Sequence, residues 1–257
     1  MLNIASWNVN SLKVRLPQVL DWFESSDTDV LALQETKVTD ENFPAEAFLE
    51  KGYHIAYIGQ KTYNGVAVIS KHPIEDVVDA LPDFVDEQKR FLAVTIKGIR
   101  VVNVYVPNGA AVDTDKYVYK LAWLDALNQF LQTELQKHSK LLVLGDFNIA
   151  PEDRDVHDPK AWEGSVLVSA PERKALSDLL ALGLTDSFRL FEQEEESYSW
   201  WDYRQANFRR NRGLRIDLIL ISEALNALCQ ASTINVEPRK NERPSDHTPV
   251  KISLHCD

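Results

Sequence analysis

The chain has 257 residues, 44% of them hydrophobic, which is enough to build one large multilayer domain over residues 1–257 rather than two small ones. Its 28 Lys and Arg against 39 Asp and Glu leave a net charge of −11, which repels polyanions at long range and excludes indiscriminate nucleic-acid binding. Two widely spaced cysteines exclude a disulfide framework and a zinc-ligand pattern, and no apolar run reaches the length of a membrane span, so a cytoplasmic protein without a signal peptide is expected.

Residues 2–7 alternate apolar with small or polar side chains, the period of a strand, and deliver Asn8 and then Asn10 at its end. Leu16, Val19, Leu20 and Phe23 then recur at helical spacing, with Pro17 expected near the helix start, where a missing amide hydrogen does little harm. A second strand over 29–33 runs into Gln34 and Glu35. A short helix over 44–51 is followed by strands over 53–58 and 65–70 around the loop GQKTYN, with Asn64 and Gly65 in a turn. Residues 91–96 and 99–106 form a hairpin across Lys97 and Gly98, and the second strand ends in Tyr105, whose ring can pack locally or whose phenol can hold a phosphate oxygen. Tyr117, Leu121, Leu124, Leu127, Leu131 and Leu135 mark the longest amphipathic helix.

That helix leads into LLVLGDFNIAP, residues 141–151, an apolar run too short for a helix that stops abruptly at Asp146 and Asn148. In a two-residue period those two side chains point the same way, so a carboxylate and a carboxamide leave the sheet edge together; an Asx turn after a strand is the plainer alternative. An irregular polar segment reaches Ser169, a helix over 171–182 stops at Gly183, and the acidic run 192–196 reads as a solvated loop. The segment SWWDYRQANFRRNRGLR then interleaves Arg204, Arg209, Arg210, Arg212 and Arg215 with four aromatic residues, a cationic island that suits phosphates and stacked bases. A strand over 216–221 opens with Asp217 near its start, a short helix and strand follow, and RPSDH precedes a closing strand over 250–254. Alternating strands and helices interrupted by hairpins define the α/β class with mixed sheets, and the strand count favours two packed sheets flanked by helices.

Asn8, Glu35, Tyr105, Asp146, Asn148, Asp217, Asp246 and His247 all stand at strand ends or in the loops that follow, although they span almost the whole chain. Oxygen donors without thiolates suit a hard divalent ion such as Mg²⁺, with Glu35 the first choice of ligand and Asp246 and Asn8 as candidates. Asp217 is placed to fix the tautomer of His247, although a satisfied surface histidine is the simpler reading of an isolated SDH.

The motifs WNVNS, LQETK, GQKTYNGVAV, NVYVPNG, GDFNIAP, SWWDYR, GLRIDLIL and PSDHTPV occur in an order that resembles the exonuclease III family of abasic-site (AP) endonucleases, within the endonuclease, exonuclease and phosphatase superfamily. The resemblance covers essentially the whole chain and implies a four-layer α/β sandwich. It implies that Glu35 binds Mg²⁺, for which Mn²⁺ can substitute, with Asn8, Asp246, Asp146 and Asn148 around the metal. Asp146 would activate the attacking water, Asn148 would orient the water or phosphate, Tyr105 would contact the scissile phosphate, and His247 paired with Asp217 would stabilise phosphoryl charge. Trp200, Leu214 and Ile216 would form an apolar pocket for a flipped abasic deoxyribose, and Asn10, Asn64 and Arg212 would contact substrate. Some relatives carry Asp where this chain has Asn10, which bears on metal affinity, and no basic N-terminal extension precedes the first strand. The implied activity is Mg²⁺-dependent hydrolysis of the phosphodiester 5′ to an abasic site in duplex DNA, with 3′ to 5′ exonuclease and 3′-phosphatase action on blocked ends. A monomer is expected. The alternative is a superfamily phosphatase or phosphodiesterase acting on a non-DNA phosphate ester.

Overall fold

Strands whose residues are apolar on both faces need cover on both sides, and this chain supplies it with four layers. The structure is a computed structural model describing residues 1–256. In chain order the elements are β1 (Leu2–Asn8), α1 (Leu12–Ser25), β2 (Val30–Gln34), α2 (Ala45–Leu49), β3 (His54–Ile58), β4 (Val66–Ser70), β5 (Glu75–Val78), β6 (Phe91–Ile96) and β7 (Ile99–Tyr105). There follow α3 (Asp115–Lys137), β8 (Leu141–Asp146), α4 (Pro159–Trp162), α5 (Ala170–Leu180), β9 (Leu184–Asp186), β10 (Asp217–Ser222), α6 (Glu223–Asn226), β11 (Cys229–Ile234) and β12 (Val250–Leu254).

The first sheet has strand order β11-β12-β1-β2-β4-β3 and the second β5-β6-β7-β8-β10-β9. Each carries one parallel pair at its centre, β1 with β2 and β7 with β8, while every other pairing is antiparallel. Alternation along each strand divides the core. Leu2, Ile4, Val30 and Ala32 face Val101, Leu142 and Leu144 between the sheets, whereas Ala5, Trp7, Leu31 and Leu33 pack under α1 and α2. Val102, Val104, Leu141 and Val143 pack under α3 and α5 on the far side. The two mixed sheets flanked by helices are therefore the expected α/β sandwich.

Both central parallel pairs deliver their carboxyl ends to the same edge, and two devices hold them there. Gln34 Nε2 donates to Asn103 Oδ1 at 2.8 Å across the sheet interface, and Asn103 Nδ2 donates to the carbonyls of Leu33 and Ala67 at 3.0 and 2.9 Å. Both side chains are buried, so an unpaired partner would carry the full desolvation penalty, about 1–3 kcal/mol, and the relative placement of the sheets is correspondingly specified. Gly145 has φ +146°, and a Cβ there would stand 1.9 Å from the Val104 carbonyl oxygen, so only glycine lets β8 keep its pairing with β7 up to Asp146.

Three local expectations need correction. Pro17 lies inside α1 rather than near its start, and it is tolerated because it is exposed and water can reach the carbonyl it leaves unpaired. Strands β5 and β9 were not expected: β5 is mostly exposed and β9 has three residues, too few to show a period. Among the described residues no helix is long and apolar enough to cross a membrane.

Candidate active site

Strand register assembles the site. Tyr105 on β7 pairs with Asp146 on β8, Asp146 pairs with Asp217 on β10, and Asn8 ends β1 beside Gln34, the residue before Glu35. Asn8 is the junction between the sheets: its Nδ2 donates to Glu35 Oε1 and to Asp146 Oδ2, each at 2.9 Å. Its own Oδ1 accepts the Asn10 backbone N–H at 3.0 Å. Glu35, Asp146 and His247 bring one donor atom each within 4.8 Å of one another. Glu35 and Asn148 have φ of +51° and +49°, left-handed conformations that non-glycine residues keep only where the surroundings over-determine them.

His247 is buried with Nδ1 2.8 Å from Asp217 Oδ2 and Nε2 3.6 Å from Asp146 Oδ2. Ser199 Oγ accepts the amides of Ile216 and Asp217 at 3.1 and 3.0 Å and so fixes the start of β10. Burial alone would strip the imidazole of its proton, but the facing charges of Asp217 and Asp146 raise its pKa to about 10. Burial drives the Asp146 carboxyl the other way, up to about 7, against the opposing pull of His247 and with Asp217 and Glu35 adding to the rise. For Glu35, burial raises the pKa but is outweighed by Lys37 at 3.0 Å, the Asn8 amide and His247, and the carboxyl lies below its usual range. Burial, with the charges of Glu35 and Asp146, pushes the Tyr105 hydroxyl well above its usual range, so it stays a donor; its ring lies 4.5 Å from the Arg90 guanidinium.

Asn148 is tightly held, its N–H on Asp146 Oδ1 at 2.9 Å, its Nδ2 on the Val106 carbonyl at 2.9 Å and its Oδ1 receiving Asn108 Nδ2 at 3.1 Å. Asp246 stands outside the three-residue cluster, its oxygens taken by Asn10 Nδ2 at 3.1 Å and Trp200 Nε1 at 3.0 Å. Asn10 also receives Lys37 Nζ at 2.5 Å on its own Oδ1, so it links Glu35's cationic neighbour to Asp246. Leu214 and Ile216 are fully buried with Ala150, Val156, Leu167 and Val168, and half-buried Trp200 packs against them. Trp200 also bridges to both Leu214 and His247, so the apolar cluster adjoins the polar one.

Asn64 and Arg212 are not drawn into this cluster. Asn64 turns its Nδ2 to Gln60 at 3.1 Å and offers its carbonyl to the Lys37 N–H, while exposed Arg212 donates its backbone N–H to the Asn207 carbonyl. The cationic island is smaller than its composition suggests. Arg215 is buried against Asp155 and Asp186 at 2.7 and 2.6 Å, and Arg204, itself exposed, pairs with Asp202 at 2.6 Å, so that among the described residues exposed Arg209, Arg210 and Arg212 are left without a carboxylate. Trp201 is likewise buried, edge-on to Phe208, and offers no stacking face. Two residues of the site were not anticipated: Asn108, which lies in the quoted PNG motif, and Lys37, which lies in LQETK.

Two neighbouring carboxylates of a buried, oxygen-rich, thiolate-free donor set fit a hard divalent cation. Four layers with such donors and an Asp-paired imidazole at the shared edge of two mixed sheets define a hydrolase acting on phosphate esters. The chain belongs to the Endonuclease/Exonuclease/phosphatase family, whose model matches residues 5–247, and within it to the exonuclease III family. It is 36% identical to Exodeoxyribonuclease III of Haemophilus influenzae, over 97% of this chain and 98% of that protein. The structure of 3′ phosphatase NExo (D146N) from Neisseria bound to product DNA hairpin superposes with a TM-score of 0.98 at 46% identity, covering 100% of both chains. The AP endonuclease from Archaeoglobus fulgidus gives a TM-score of 0.96 at 38% identity, again covering 100% of both chains.

Proposed function

We propose that this chain is a Mg²⁺-dependent DNA-repair nuclease that hydrolyses the phosphodiester 5′ to abasic sites in duplex DNA and removes 3′ blocks by the same chemistry. The observation that carries the reading is the Asn8 carboxamide bridging Glu35 and Asp146, with the Asp217-paired His247 3.6 Å from the same Asp146 oxygen. The names of the similar proteins, an exodeoxyribonuclease III, an AP endonuclease and a 3′ phosphatase, support the substrate class.

Glu35, with Asn8, Asp146, Asn148 and Asp246 as neighbours, would hold the divalent ion, Mn²⁺ serving in its place. When bound, such an ion offsets charge on the phosphate and the leaving oxygen. Asp146 takes the proton of the attacking water, its second oxygen being fixed by the Asn148 N–H. His247, oriented by Asp217, presents Nε2–H to a phosphate oxygen, and the Tyr105 hydroxyl, kept protonated by burial, donates to another. Asn148 has a second Nδ2 hydrogen for the water or the phosphate. Trp200, with Leu214 and Ile216 behind it, forms the apolar receptor for a sugar without a base, since a nucleotide that has lost its base costs little stacking to extrude. Asn10, Asn64 and Arg212 border the path of the strand.

The balance of activities follows from which substrate the apolar receptor accepts, and the 46% identity to a protein named a 3′ phosphatase favours a strong 3′-terminal component. A gel assay on three duplexes, with an internal abasic site, a recessed 3′ end and a 3′ phosphate, tests the reading with Mg²⁺ and with chelator. Cleavage of the abasic duplex and release of the 3′ phosphate are expected, both lost on chelation. Turnover of a soluble phosphorylated polyol with none of the three duplexes would replace this reading by the non-DNA phosphatase.

A further inference from the structure

We propose that Lys120 of α3 and Glu172 of α5 are a positioning pair that sets the Asn108 and Asn148 turns from behind and ties them to the segment supporting the apolar receptor. The inference rests on the proposed roles of Asn148 and of the Leu214–Ile216 cluster. Both side chains are completely buried, and they form an ion pair with each other. Lys120 Nζ has three donors, and all are used: one on Glu172, one on the Asn148 carbonyl at 2.6 Å and one on the Asn108 carbonyl at 3.2 Å. Asn108 and Asn148 are the two carboxamides that touch each other at the site.

Glu172 gathers the other side. Its Oε1 accepts the Leu167 N–H at 3.0 Å, and its Oε2 accepts the Ser169 N–H at 3.1 Å together with the Ser169 hydroxyl. Leu167 stands at φ +78°, a conformation that a γ-branched side chain adopts only when held there, and its carbonyl accepts the Ala150 N–H at 2.8 Å. Leu167 and Val168 in turn pack in the cluster with Leu214 and Ile216. One enclosed ammonium–carboxylate pair therefore joins the polar turns to the apolar receptor without reaching either surface.

A buried ion pair is a poor source of stability, because apolar replacements of both partners are often neutral; what it supplies here is geometry. A misplacement of about 1 Å in a positioning group can lower a rate by about 10²-fold.

The test uses the full chain with Mg²⁺ and the paired variant Lys120→Met with Glu172→Gln, which removes both charges and keeps an oxygen acceptor for one of the two amides, that of Leu167 or that of Ser169. Single-turnover cleavage of the abasic duplex and of the 3′-phosphate duplex is compared with duplex Kd measured without divalent ion and with thermal unfolding. The expected result is a cleavage rate about tenfold to hundredfold lower with Kd within about twofold, in a protein that still unfolds cooperatively. A folded paired variant cleaving at the parent rate would overturn the inference, as would a fall in rate matched by a comparable rise in Kd. Should the paired variant not fold, Glu172→Asp, which keeps both charges and shortens one arm, must show the same split at severalfold size, and a parent-like rate in it overturns the proposal. A parent chain inert on both duplexes would overturn the functional reading and this inference with it; an active parent with unaffected variants overturns the inference alone.

Discussion

The polar cleft and the loop of residues 199–215 are both rich in groups able to meet a phosphate, yet they are built on opposite principles. The cleft takes one or two residues from each of several strand ends, and every one is buried or bonded: Asn8 to Glu35 and Asp146, His247 to Asp217, Asn148 to Asp146 and Asn108. The loop takes its cations from one continuous stretch: Arg215 is consumed in tying it to Asp155 and Asp186, exposed Arg204 pairs with Asp202 within the loop, and among the described residues Arg209, Arg210 and Arg212 remain exposed without a carboxylate. Chemistry needs groups fixed to a fraction of an ångström, which rigid sheets supply, whereas attraction to a polyanion needs only charge in the right region. On the proposed function, the exposed cations of the loop would meet a strand of DNA, and the groups converging from distant strand ends would cut it.

Substitutions should separate the two regions. The largest effect is expected in the cleft: Glu35→Ala should lower the single-turnover cleavage rate by about 10³-fold or more with the fold retained, and far-ultraviolet circular dichroism beside the rate will show whether the loss is chemical. Next, Asp217→Asn leaves the shape but withdraws the charge that orients and protonates His247, for a loss of about 10²-fold; a rate within twofold of the parent would make the His247–Asp217 contact structural only. Where the cleft adjoins the apolar cluster, Leu214→Ala enlarges the receptor, and incision at an undamaged nucleotide relative to an abasic one should rise by about tenfold, read from matched duplexes on one gel. The smallest effect belongs to the loop. Arg212→Ala should weaken duplex binding severalfold and reduce the slope of log K against log salt by about one, without altering the single-turnover rate at saturation. A slope identical to the parent's would remove Arg212 from the contact surface.

The same division explains what could be read from the sequence. Glu35 and Asp146 stood out because a buried strand that stops at a carboxylate breaks its own apolar pattern, and two packed sheets flanked by helices followed from the number and type of strands, the four-layer sandwich being what the family resemblance implied. Arg215 was read as part of the cationic surface because composition is local, while its partners Asp155 and Asp186 lie 60 and 29 residues away. Glu172 does carry a visible sign, as the last residue of the Ser169 to Glu172 capping box, but nothing in that pattern announces a lysine from another helix. Lys120 occupies a polar-looking position of α3 and shows its role only once the turns at Asn108 and Asn148 are folded over it. Gln34 and Asn103 are similar: each reads as a polar interruption of a strand until the sheets face each other.

The central claim is that Glu35 from one sheet and Asp146 from the other act as a single unit through Asn8. A double-mutant cycle on the single-turnover cleavage rate, with Glu35→Gln, Asp146→Asn and the pair, tests it most directly. If the account is right, the pair will cleave within about threefold of the slower single variant, because either change alone already dismantles the unit. A pair slower by the product of the two separate losses would show that the carboxylates work independently and would contradict it.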